Sequence, residues 1–108
     1  MVFDTQTLTR VIERCFDLSM SGALPQETRV AYLTQGKRLR ELLMRLLGAR
    51  FDAGSAEFKQ ATDAMHETNH ALEQAAADLE TLTKAVGRVA ELAGYLDKAL
   101  GLAGRVIT

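Results

Sequence analysis

The chain has 108 residues, 47% of them hydrophobic and 25% charged, with a formal net charge of −1. A domain of this size buries only about two-thirds of the surface that its unfolded chain exposes, so self-association would help it. The balance excludes a disordered polyelectrolyte, and any pull towards nucleic acid or an anionic membrane has to come from a local patch.

One Pro, no Trp and abundant Ala and Leu favour helix. The lone Cys15 cannot form a disulfide within the chain and fits a reducing compartment. The N-terminus carries neither the basic nor the apolar region of a secretory signal, and no stretch is apolar enough to span a membrane. A cytoplasmic protein is expected.

Asp4 is a good N-cap for a first helix over residues 5–20, where Leu8, Val11, Ile12, Cys15, Phe16 and Met20 recur at three- and four-residue steps. Ser21-Gly-Ala-Leu-Pro25 supplies a glycine stop followed by a proline start. A second helix over 25–50 carries Val30, Leu33, Leu39, Leu42, Leu43, Leu46 and Leu47 and ends near Phe51; Gly36 is a point where it can kink or split. Asp52 to Ser55 makes the next break, with Ser55 as N-cap and Glu57 in the first turn.

From Phe58 the pattern becomes regular. Phe58, Ala61, Met65, Thr68, Leu72, Ala75, Leu79, Leu82, Val86, Val89, Ala93, Leu96, Leu100 and Ala103 alternate steps of three and four without a slip. This is a heptad seam, and it predicts a third helix over 56–104, ~70 Å long if continuous. Its flanks are small and apolar (Ala64, Ala71, Ala76, Ala85, Leu92, Ala99), which suits a helical bundle better than a two-stranded coiled coil. Gly87, Gly94 and Gly101 fall seven apart, as a packing stripe or a bend would require.

Within that helix, His66-Glu67-Thr-Asn-His70 resembles the zinc-peptidase signature H-E-x-x-H, in which two histidines one turn apart hold the metal and the glutamate polarises a bound water. The resemblance covers about ten residues and implies zinc as a cofactor. On the seam set by Phe58, Met65 and Leu72, however, His66, Glu67 and His70 fall on the side facing water. Glu91, the best match for a third ligand, lies ~30 Å from His70 on a straight helix. It approaches only if the chain folds back, for instance at Gly87. His66, His70 and Glu73 nonetheless share a face at i, i+4 and i+7, enough for a surface metal site. Glu67-x-x-His70 also matches the pair that di-iron bundles supply from two helices, although there the ligands point inward.

Lys37, Arg38, Arg40 and Arg45 make the second helix locally basic, opposed nearby only by Glu41. Such a surface binds nucleic acid or anionic lipid; the alternative is that it faces the acidic first half of the third helix (Glu57, Asp63, Glu67, Glu73, Asp78, Glu80), within or between chains. The long leucine-rich helix does not resemble a helix-turn-helix recognition element, so nucleic acid is the less favoured partner. Cys15, among Val11, Ile12 and Phe16, is expected to be a buried small hydrophobe.

The expected fold is all-α, a hairpin or bundle of three helices, four if the last breaks near Gly87. It is expected to dimerise through Leu72, Leu79, Leu82, Val86, Val89 and Leu96. The expected function is a non-catalytic interaction module (adaptor, regulator or immunity-type inhibitor) that binds itself and another protein. The alternatives are a metal-binding protein or zinc hydrolase built on His66, Glu67 and His70, and a nucleic-acid binder built on Lys37, Arg38, Arg40 and Arg45.

Overall fold

A computed structural model of the chain describes residues 3–49, 55–75 and 78–107, with side chains as far as Gly101. It is all helical: α1 (Thr5–Ser19), α2 (Gln26–Leu46), α3 (Ala56–Gln74) and α4 (Leu79–Ile107), with no strand among the described residues. The expected ends of the second helix at residues 50 and 51 lie outside the described residues. The helix itself stops at Leu46, and Leu47 caps it.

Two of the helices start in the same way. Asp4 accepts the Thr7 backbone N–H at 3.2 Å and the Thr7 hydroxyl at 2.7 Å. Asp78 accepts the backbone N–H groups of Glu80 at 3.1 Å and Thr81 at 3.4 Å, and the Thr81 hydroxyl at 2.7 Å. Each Asp-x-x-Thr box satisfies donors that a helix N-terminus otherwise leaves unpaired. The Thr7 and Thr81 hydrogen bonds favour the ionised carboxylate and hold both aspartates below their ordinary pKa. Ser55 accepts the Phe58 N–H at 3.2 Å and starts α3 as expected.

The second of these boxes corrects the expectation of one continuous C-terminal helix. The chain folds back at Ala75 to Asp78, closed by a hydrogen bond from the Asp78 N–H to the Ala75 carbonyl at 3.0 Å, and α4 runs through Gly87 unbroken. The seam keeps its phase across the turn because residues on both sides face the same core. Periodicity reports which face is buried and is silent on whether the axis continues.

Among the described residues α1 packs on α2, α3 on α4, α2 on α4 and α1 on α3, which leaves α2 diagonal to α3 and α1 diagonal to α4. The fully buried Tyr32 hydroxyl donates to the Leu82 carbonyl, and Arg45 meets Asp97 further along, so α2 and α4 run in the same direction. Phe3 meets Phe58 edge to face with ring centres 6.1 Å apart near the starts of α1 and α3, which are likewise parallel. Two helical hairpins thus lie side by side as a four-helix bundle of 46 × 21 × 19 Å, its long dimension close to the ~44 Å of a 29-residue helix.

The core runs the length of the bundle, from Leu8, Val11, Cys15 and Leu18 through Tyr32, Leu39 and Leu46 to Met65, Leu72, Val89, Leu92 and Leu96. At Gly36, a point where α2 could kink or split, the helix is continuous and the glycine is buried. A Cβ there would stand 3.2 Å from the Cys15 Cβ and 3.3 Å from Phe16 Cε1. The missing side chain lets α1 and α2 approach closely, and that contact is the reason a poor helix former occupies the middle of the helix.

Candidate functional site: the outer face of α2 and the histidine face of α3

His66, Glu67, His70 and Glu73 are exposed along α3, the side on which the seam placed them. Asn69 Nδ2 donates to Glu73 Oε1 at 3.3 Å, so one carboxylate oxygen of the acidic member of the expected surface site is engaged within its own helix. The fold-back at Ala75 to Asp78 brings α4 alongside α3, as a Glu91 ligand would require. Yet no group of three His, Cys, Asp or Glu side chains is arranged to hold a metal ion among the described residues. His66 lies close enough to Asp4 to help keep that carboxylate ionised, a weak electrostatic role.

A groove of about 390 Å³ between α1 and α3 is lined by Arg10, Arg14, Asn69, Leu72 and Glu73. A second, of about 180 Å³ between α3 and α4, is lined by Gln60, Asp63, Ala64, Glu67 and Tyr95. Neither contains a histidine, and neither combines a nucleophile with a base. Cys15 is fully buried, and burial pushes its thiol up to about 12, so it is chemically inert.

The six residues expected to meet another chain divide differently. Leu72, Leu82, Val89 and Leu96 are buried in the chain's own core, Val86 is half-buried, and only Leu79 is exposed. The seam closes this chain's own bundle, because once α3 and α4 fold back each supplies the apolar face that the other needs.

The basic residues Lys37, Arg38, Arg40 and Arg45 are all exposed on α2. Of their expected acidic counterpart within the chain, Glu57, Asp63, Glu67 and Glu73 lie on α3, diagonal to α2, while Asp78 caps α4 and Glu80 lies 3.5 Å from Lys84 of its own helix. Two of the four have other engagements. The Arg40 guanidinium lies 5.5 Å from the centre of the Phe16 ring on α1, and Arg45 Nη1 is 3.7 Å from Asp97 Oδ1 on α4. The latter pair is more than half exposed and contributes little to stability.

What the sequence did not single out is the outer face of α2. Val30 is 54% exposed, Leu33 36%, Met44 68% and Leu47 58%. With Lys37 and Arg40 they form a row at steps of 3, 4, 3, 4 and 3, a second stripe turned away from the core. Met20, at the end of α1, is 75% exposed. Among the described residues, five of the six exposed large hydrophobic side chains therefore sit on the α1–α2 hairpin. The signal was present in the spacing, but leucines that face inward and outward on one helix look alike until the neighbouring helices are placed. In comparisons with family models, curated proteins and solved structures, nothing matches this chain.

Proposed function

We propose that the protein is a non-catalytic helical interaction module that acts by burying a helix face against another protein surface, including that of a second copy of itself. The observation that carries this reading is the row of Val30, Leu33, Met44 and Leu47 on the outside of α2. Scattered exposed apolar residues are ordinary, whereas a row on one face is the form that helix-in-groove and helix-to-helix recognition take. Apolar burial would supply the affinity at roughly 25 cal/mol per Å², and Lys37 within the row, with Arg38 and Glu41 beside it, would set specificity and association rate. Such chemistry suits an adaptor, a regulator or an inhibitor.

The test is light scattering over a concentration series, on the wild-type chain and on a Met44→Asp/Leu47→Asp variant, with helicity followed by circular dichroism. The wild type is expected to gain mass with concentration, and the variant to remain a helical monomer. Association that survives in the variant would overturn the choice of the α2 face.

A further inference from the structure

We infer that the exposed strip of α2 pairs with the same strip of a second copy, antiparallel, across a two-fold axis passing between Arg38 and Leu39. This rests on the interaction-module reading and commits it to one occupant and one register. Reversing the row 30, 33, 37, 40, 44, 47 about that midpoint reproduces it, and the residue classes reverse with the spacing: apolar, apolar, basic, basic, apolar, apolar.

Antiparallel pairing therefore sets Val30 against Leu47 and Leu33 against Met44 of the second copy, and each contact occurs twice, as an isologous interface requires. Parallel pairing would stack Lys37 on Lys37 and Arg40 on Arg40; antiparallel pairing sets Lys37 against Arg40 twice, and what relieves this opposition is the acidic residue beside it. In the antiparallel register Glu41 of each copy falls one residue from the position opposite Lys37 of the other, giving two reciprocal ion pairs at the centre.

The remaining like charges are drawn away from the axis. Arg40 leans onto Phe16 of its own α1, and Arg38 lies about 100° round the helix from Lys37. Antiparallel helices also oppose their dipoles. The row from Val30 to Leu47 is a single helix face ~26 Å long with six residues, fewer than the roughly 20–30 residues a side of a standard interface, so the dimer is weak and concentration-dependent.

Two measurements test the register. In the first, sedimentation equilibrium compares the wild type with Lys37→Glu, Glu41→Lys and the double exchange. Each single change is expected to weaken dimerisation roughly fivefold or more, and the double exchange to restore it, because the cross-copy pair is re-formed with its charges swapped. In the second, a spin label at Gln26→Cys reports the distance between copies, ~37 Å for the antiparallel pair against ~10 Å for a parallel one.

Dimerisation that ignores all three charge variants, or a short label distance, overturns the register while leaving the α2 face in place. A dimer indifferent to Met44→Asp/Leu47→Asp overturns the face itself. A chain that stays monomeric up to roughly 1 mM overturns pairing with a second copy and leaves the strip to a different protein.

Discussion

Tyr32 and Cys15 are the two side chains whose chemistry the fold alters most. Both are fully buried, and burial raises the Tyr32 phenol from 10.0, and the Cys15 thiol from 9.0, to about 12. Each is neutral in the folded state, and the unfolded chain loses its protons first as the solution becomes alkaline. The stability tied to the two neutral groups is complete below about pH 9 and disappears as pH rises towards 12. We expect urea unfolding followed by circular dichroism to show a midpoint that is flat from pH 7 to 9 and falls steeply beyond. Tyr32→Phe should lose about 1 kcal/mol at pH 7, the net value of the hydrogen bond to Leu82, and show a shallower alkaline fall. An unchanged alkaline slope in that variant would mean that the phenol does not titrate with unfolding. In the sequence, Cys15 was legible as a core residue from the company of Val11, Ile12 and Phe16. Tyr32 was not, because its burial depends on α4 lying beside α2, a long-range fact that no local spacing carries.

At the scale of the helix, glycines of identical appearance in the sequence do opposite things. Gly36 sits where α1 and α2 nearly touch, whereas a Cβ at Gly87 or Gly94 would meet nothing within 4 Å. Filling the first forces two backbones apart; filling the others only improves helix propensity. Gly36→Leu is therefore expected to destabilise by roughly 1–3 kcal/mol through overpacking, and Gly87→Ala and Gly94→Ala each to stabilise by up to about 1 kcal/mol. Thermal unfolding of the three variants checks this, and a Gly36→Leu chain as stable as the wild type would refute the close crossing. The helix starts at Asp4 and Ser55 were legible because a capping side chain needs only its own next three residues. Asp78 needs no more than that, yet it was outweighed: the apolar phase ran on through Ala75, Leu79 and Leu82, and an uninterrupted seam looks like an uninterrupted helix. The Asp-x-x-Thr spelling shared with Asp4 was the local signal that could have corrected it.

At the scale of the molecule, the preserved phase has a physical consequence as well. Phe58 to Leu72 and Leu82 to Leu100 line one core whether α3 and α4 fold back on each other or join as a single helix reaching into a second copy. The two arrangements make the same contacts, including Tyr32 with Leu82 and Arg45 with Asp97, only between copies in the extended case. What favours the folded-back form locally is the Asp78 box, since an aspartate that caps α4 cannot at the same time sit in the interior of a longer helix without giving up its bonds to Glu80 and Thr81. Asp78→Ala removes those bonds and puts the best helix former at the turn, next to Ala75, Ala76 and Ala77. The variant is accordingly expected to populate a domain-swapped dimer when refolded at high concentration. This dimer is distinguishable from one formed through α2: exchange requires unfolding, so it persists for hours after dilution, whereas a surface dimer dissociates at once. Gel filtration of Asp78→Ala before and after dilution, with Met44→Asp/Leu47→Asp added to suppress the α2 contact, separates the two. A purely monomeric triple variant would show that the turn is held by the packing of the two hairpins and not by the cap of α4.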